Sequence, residues 1–143
     1  MSLLGGEEMK VIYQLNENQI KQLHALYQQE WWTKERSLEE TQKIVKNSQI
    51  VIAIVDEKDV LVGFVRVLTD YTFKAMIFDL IVSSKYRGEG IGKSLLDLVL
   101  GHKSLDLVKH FELYCLEEMN GFYKQFGFSR KLGKLNLMRV EKD

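Results

Sequence analysis

The chain has 143 residues, with one cysteine, no proline and 20 acidic residues against 20 basic ones, a formal net charge of zero. A domain of that length buries about two-thirds of the surface its unfolded chain exposes, and the charge balance points to neither nucleic acid nor an anionic membrane as partner. A lone cysteine excludes an internal disulfide framework and fits a reducing, cytoplasmic compartment, and no apolar run approaches the roughly 18 residues of a membrane helix.

Residues 1–8 have neither the basic start nor the long apolar segment of a signal peptide. They read as a leader foreign to the protein or a disordered N-terminus, with Met9 the candidate natural start and residues 9–143 the domain. Lys10 to Leu15 alternates apolar and polar side chains like a short strand. Asn16 with Gln19 makes a weak capping box ahead of a helical stripe of Ile20, Leu23, Leu26 and Tyr27. Trp31 and Trp32 follow, and two adjacent indoles do not easily share one core. Either one of them lines a pocket or both cap core edges. Ser37 with Glu40 is a better capping box, and Leu38, Thr41, Ile44 and Val45 predict a second helix. Gln49 to Val55 is a nearly continuous β-branched run, a buried strand. Asp56 to Asp59 is a polar turn, and Val60 to Leu68 returns as the other arm of a hairpin. Gly63 inside that arm marks a bulge or a close backbone approach. Asp70-Tyr71-Thr72 turns the chain into a third strand, Met76 to Val82. On it Phe78, Leu80 and Val82 share one face, and Ile77, Asp79 and Ile81 the other.

Between Val82 and Ser94 lies a glycine-rich stretch, Arg87-Gly88-Glu89-Gly90-Ile91-Gly92-Lys93, followed by a helix with Ile91, Leu95, Leu98 and Val99 on one face. Glycines let the backbone adopt positive φ and come close to a ligand. The first N–H groups of a helix lack partners within it, and the helix dipole favours negative charge there. The combination suits a phosphate or pyrophosphate, and Lys85, Arg87 and Lys93 add positive charge. A P-loop needs G-x-x-x-x-G-K-[ST]. Gly92-Lys93-Ser94 supplies its end, but the first glycine falls on Arg87. A dinucleotide fingerprint needs G-x-G-x-x-G, but its third glycine falls on Lys93. Further on, Phe111 to Leu116 predicts a strand. Met119, Phe122, Tyr123 and Phe126 recur at helical spacing, with Gly127 at a C′ position. Lys134 to Val140 alternates and predicts a last strand closing the sheet.

Arg87-Gly88-Glu89-Gly90-Ile91-Gly92 resembles the R/Q-x-x-G-x-G/A signature of the GCN5-related N-acetyltransferases (GNAT). Tyr123-Lys124-Gln125-Phe126-Gly127-Phe128 resembles that family's Y-x-x-x-G-F ending, and the order of elements matches from Lys10 onward. The resemblance implies a mixed α/β, three-layer fold with a mostly antiparallel central sheet. It implies direct acetyl transfer from acetyl-CoA to an amine in a ternary complex, and it suggests a dimer. Carried onto this sequence, Arg87 to Lys93 would wrap the pyrophosphate of coenzyme A through backbone amides. Leu80, Ile81 and Val82 would splay from the neighbouring strand and offer backbone groups to the pantetheine arm, and Tyr123 would protonate the leaving thiolate.

The reaction needs a neutral amine, donors for the developing oxyanion and a leaving thiolate. Asp79 is the candidate for handling the amine, since a lone carboxylate in an apolar strand is costly unless paired or useful. It orients the cationic acceptor, acts as base through a water, or pairs with a neighbour such as Arg66; water alone is also a sufficient base. Trp31, Trp32 and Tyr71 could wall in a small amine, with cation–π contact suiting its charged form. A protein amine is the other acceptor class. Two departures from the family pattern stand out. Leu116 and Met119 replace the family's Asn and Ala, which leaves a contact from nearby Asn120 in doubt, and Ser84 replaces a common proline. Cys115 has no base on its own strand face to make a thiolate, and His24 and His102 lack a second ligand at i+4. The rival reading from another class is a non-catalytic sensor that binds CoA or acyl-CoA.

Overall fold

The protein, seen in a computed structural model that describes residues 3–4 and 7–142, begins with a two-residue antiparallel pair, β1 (Leu3–Leu4) against β2 (Glu7–Glu8). The leader expected over residues 1–8 falls in part on residues 1–2 and 5–6, which lie outside the described residues. By internal contacts the chain divides into two compact units, Met1–Leu113 and Tyr114–Asp143.

In the first unit, β3 (Lys10–Ile12) is shorter than the six-residue alternation suggested. Two helices follow, α1 (Glu17–Tyr27) and α2 (Leu38–Asn47). Both predicted capping boxes are formed. Asn16 accepts from the Gln19 N–H and Ser37 from the Glu40 N–H, while the Gln19 and Glu40 side chains accept from the cap residues' own N–H groups. Then come β4 (Ile50–Val55), with every residue buried, β5 (Leu61–Thr69) and β6 (Lys74–Val82). A crossover helix α3 (Ile91–Leu100) leads to β7 (His110–Leu113). The sheet order is β3-β4-β5-β6-β7. Only β6–β7 is parallel, the pairing that requires a long crossover. The result is the expected mixed α/β, mostly antiparallel sheet.

Two faces of the sheet are covered by different helices. Leu23, Leu26 and Tyr27 of α1 pack with Val51, Ala53, Val55 and Phe64, joined at the margin by Ile44 and Val45 of α2. On the other face α3 crosses close over β5. A Cβ added to Gly63 would lie 2.9 Å from Ile91 Cγ2, 3.0 Å from Leu95 Cδ1 and 3.3 Å from the Ile81 carbonyl. Gly63 therefore marks a close approach, one of the two roles its place in the strand allowed. The buried face of α3 is Ile91, Leu95, Leu96 and Val99. Leu96 takes the place expected for Leu98, because the helix begins at Ile91 and packs on three strands, which widens its apolar stripe.

The second unit has a 3₁₀ turn, Glu117–Met119, and a short helix α4 (Asn120–Lys124). Gly127 ends it with φ of +93°, and the Phe128 N–H bonds back to the Tyr123 carbonyl at 3.3 Å, as a left-handed C-terminal residue allows. Two strand expectations need correction here. The one over Phe111–Leu116 is shorter and sits one residue earlier, as β7. The other, Lys134 to Val140, is not a strand. Leu135 is 71% exposed and Met138 89%. The alternation changes phase between Leu137 and Met138, so no single face collects the apolar side chains, and a strand with no common face has nothing to bury.

Candidate active site

β6 is the element on which the candidate site turns. Its pairing with β7 runs from Lys74↔His110 to Ile77↔Leu113 and stops. β7 ends at Leu113, so Leu80, Ile81 and Val82 lie beyond the paired stretch of β6 and β7. On its other side β6 pairs with β5 through Arg66↔Phe78 and Phe64↔Ile81. Asp79 and Leu80 therefore stand opposite the single residue Val65, which is a β-bulge. Asp79 has φ of +58°, an uncommon region for a residue with a side chain but one aspartate tolerates.

The Asp79 side chain is buried among donors. Arg36 forks onto it, Nη1 to Oδ2 at 2.6 Å and Nη2 to Oδ1 at 3.2 Å. Arg66 Nε donates to Oδ2 at 2.7 Å and the Tyr27 hydroxyl to the same oxygen at 2.8 Å. Burial alone would raise the Asp79 pKa, but the hydrogen bonds from the two guanidiniums outweigh it and hold the carboxyl below its ordinary value. Tyr27 is pushed well above the ordinary phenol range, first by burial and then by the Asp79 charge, so it remains a neutral donor. The pairing with Arg66 considered from the sequence is present. Arg36 was not foreseen: it lies 43 residues from Asp79 in the α1–α2 connector, and nothing in the local pattern marks it. The one available signal was the requirement that a buried carboxylate be fully partnered.

After Val82 the chain makes a 3₁₀ turn at Ser84–Tyr86 and reaches Gly88 and Gly90, with φ of +82° and +83°. Apart from the adjoining residues, no atom lies within 4 Å of where a Cβ on either glycine would sit. Gly90 is the N-cap of α3. The Ser94 N–H bonds the Gly90 carbonyl at 3.0 Å, whereas the amides of Ile91, Gly92 and Lys93 have no turn behind them to accept. Open backbone on one side and orphan N–H groups on a helix N-terminus fit a pyrophosphate. The Arg87 side chain is already engaged, its guanidinium forming an ion pair with Glu30 and its Nε lying 3.4 Å from the Val82 carbonyl. Lys93 and Glu89 are exposed on the same loop.

Trp31 and Trp32 sit in the connector between Glu30 and Arg36, 70% and 41% exposed. Neither is a core residue. The connector is fastened at both ends, by Glu30 to Arg87 and by Arg36 to Asp79, and in its middle the Thr33 hydroxyl donates to the Tyr27 carbonyl at 2.8 Å. Tyr71 is not brought to this region. It lies in the β5–β6 turn, at the end of β6 away from the glycine loop.

In the second unit, Tyr123 on α4 stands edge-on to Phe122 and Phe128, with centroids 5.0 and 5.9 Å away. Burial, and then the neighbouring Cys115, push its phenol up to about 12, so it keeps its proton at neutral pH. Cys115 Sγ lies 3.4 Å from Asn120 Oδ1, which gives that asparagine a local partner.

The sequence matches the model of the acetyltransferase (GNAT) family over residues 17–128. It is 30% identical over 126 residues to the protein of Pyropia yezoensis named uncharacterized N-acetyltransferase ycf52, covering 85% of this chain and 72% of that one. It is 28% identical over 116 residues to the soybean histone acetyltransferase TAP1, covering 74% of this chain and 50% of that protein. A solved structure from Xanthomonas campestris, described as belonging to the GNAT family, superposes with a TM-score of 0.78 at 26% identity, covering 94% of each chain. Together with the glycine-opened helix N-terminus after β6, these matches mean that the chain belongs to the acetyltransferase (GNAT) family.

Proposed function

We propose that the protein transfers the acetyl group of acetyl-CoA to a primary amine, with a small molecule favoured over a protein, by direct attack in a ternary complex. That it is a GNAT-type acyltransferase follows from its family. The observation that carries the finer reading is the end of β6, unpaired with β7 beyond Ile77 and followed, after the Ser84–Tyr86 turn, by a helix N-terminus opened by Gly88 and Gly90.

Acetyl-CoA would supply an acetyl thioester at one end and a pyrophosphate at the other. The backbone amides from Arg87 to Lys93 hold the pyrophosphate. Leu80, Ile81 and Val82 offer main-chain groups to the pantetheine arm, and one of their N–H groups polarises the thioester carbonyl. The amine nitrogen forms a bond to the acetyl carbon as the carbon–sulfur bond breaks. Tyr123 donates its phenolic proton toward the departing sulfur and recovers one from solvent; burial, which pushes the phenol up to about 12, keeps it in the protonated form. The surplus proton of the amine goes to water. Asp79 is a poor base in this reading, because both its oxygens accept from guanidiniums. It acts instead by holding the bulge from which the free segment of β6 departs. Trp31 and Trp32 wall the acceptor, and Tyr71 touches only an acceptor that extends along β6 away from the loop.

Replacing Tyr123 with phenylalanine tests the reading. Loss of a proton donor costs about a hundredfold in kcat or more, while the Kd for acetyl-CoA stays within about threefold because no phosphate contact is touched. A wild-type protein that binds acetyl-CoA but acetylates no amine would be a sensor instead.

A further inference from the structure

The charge around Asp79 does not balance. One carboxylate, its side chain 3% exposed, faces two guanidiniums, Arg36 at 27% and Arg66 at 11%. The other close partners are neutral: the Tyr27 hydroxyl, and Ser48 Oγ at 3.5 Å from Arg66 Nη1. Among the described residues no second carboxylate forms an ion pair with either arginine. Glu40 is exposed, accepts from the Ser37 N–H at 2.8 Å, and feels the Arg36 charge only at a distance and through solvent, outside ion-pair range. Glu35 and Lys34, which adjoin Arg36, are exposed and offset each other. Two positive charges against one negative leave the cluster with one in excess, in a setting where desolvated charge seeks a partner.

The excess has a direction. Arg36 is the more exposed of the two arginines and ends the connector that carries Trp31 and Trp32. A guanidinium has five N–H donors, and Asp79 occupies two of those on Arg36. Asp79 itself directly precedes Leu80, where β6 is free of β7. The surplus positive charge thus lies beside the segment that the proposed function gives to the reacting end of the donor, on an arginine of the same connector as the tryptophans.

We infer that the acceptor carries an oxyanion, a carboxylate or phosphate, a few bonds from its amine, and that Arg36, backed by Arg66, binds it. Arg suits such groups because its planar fork matches their geometry. The same charge disfavours a protonated amine nearby, so the nitrogen is presented as the neutral nucleophile while the oxyanion supplies the attraction. A simple alkylamine, whose only charge is positive, is the wrong acceptor. This inference rests on the acetyl-transfer reading and narrows its substrate class.

The test uses the protein saturated with CoA, so that the glycine loop is filled and cannot take the anion. Binding of 3-aminopropylphosphonate and of propylamine, matched in chain and amine, is measured by calorimetry. The phosphonate should bind at least about tenfold more tightly, the equivalent of one charge-assisted hydrogen bond. Arg36→Gln should remove that preference while the CoA-induced rise in unfolding temperature is retained, and Arg36→Lys should restore part of it as a point charge. Equal or tighter binding of propylamine, no binding of either probe, or a preference that survives Arg36→Gln would overturn the inference. If Arg36→Gln does not fold, the wild-type comparison decides alone. Failure of CoA itself to raise the unfolding temperature would instead remove the acetyl-transfer reading beneath it.

Discussion

Replacing Gly63 with alanine probes the joint between the sheet and the helix that presents the glycine loop. The added methyl would sit 2.9 Å from Ile91 Cγ2, 3.0 Å from Leu95 Cδ1 and 3.3 Å from the Ile81 carbonyl oxygen. Ile91 is 1% exposed and Leu95 is fully buried, so neither has open space to move into, and the Ile91 methyl is fixed to a β-branched carbon with one preferred rotamer in a helix. Overpacking of this kind costs about 1–3 kcal/mol. Against it stands a gain of about 0.4–1 kcal/mol from the stiffer unfolded chain. The net expectation is a loss of about 1–2 kcal/mol, which for a protein of this size lowers Tm by roughly 3–8 °C. Ile91 is also the first residue of α3. A helix pushed off β5 carries its N-terminal amides with it, so acetyl-CoA affinity should fall as well. Thermal unfolding with and without acetyl-CoA measures both. A Gly63→Ala protein with an unchanged or higher Tm would refute the close-approach argument, and one with lowered Tm but intact acetyl-CoA affinity would separate the joint from the loop.

Other outcomes follow from the same geometry. Gly90→Ala puts a Cβ at φ of +83° into space that is empty in the protein; stability should drop by about 1–2 kcal/mol from the left-handed conformation, while acetyl-CoA binding weakens by about tenfold or more, as titration would show. Asp79→Asn removes the anion between two guanidiniums, and leaving buried charge uncompensated should cost about 3–5 kcal/mol. Because the folded-state pKa of Asp79 is depressed, its contribution is present above the ordinary aspartate value of 3.8 and lost as pH falls below it; denaturant unfolding of the wild type should therefore weaken more steeply on acidification than that of the variant. Burial, and then Cys115, push the Tyr123 phenol up from 10.0 to about 12, so the wild type minus Tyr123→Phe difference in tyrosinate absorbance should develop near the higher value. Its contribution to stability, complete below pH 10.0, should decline as pH rises from there through about 12.

Short-range signals are legible in the sequence because local chemistry produces them. Both capping boxes, the β-branched run of β4 and the glycines at positive φ are dictated within a few residues of themselves. Gly63 was legible as a position but not as a partner, since its neighbour Ile91 comes from a helix far along the chain. Arg36 shows the limit more sharply. A buried aspartate announces that it needs cations, and cross-strand pairing puts Arg66 in reach, but a second arginine from an irregular connector leaves no periodic trace. The same holds for Glu30 on Arg87. Tyr71 shares only its aromatic type with Trp31 and Trp32, and hairpin geometry carries it to the other end of β6. The tail from Lys134 failed for the opposite reason: a pattern was present, but its change of phase at Met138 removes the common face a strand must bury.

The central claim, acetyl transfer to an amine, is met most directly by counting products. The protein is incubated with acetyl-CoA and a panel of amines that includes 3-aminopropylphosphonate, and free thiol is measured alongside the N-acetylated amine by mass spectrometry. Amine-dependent thiol release, matched one for one by acetylated product and strongly reduced in Tyr123→Phe, is the predicted result. Tight acetyl-CoA binding with no amine able to drive thiol release would contradict it and leave a CoA-binding module in its place.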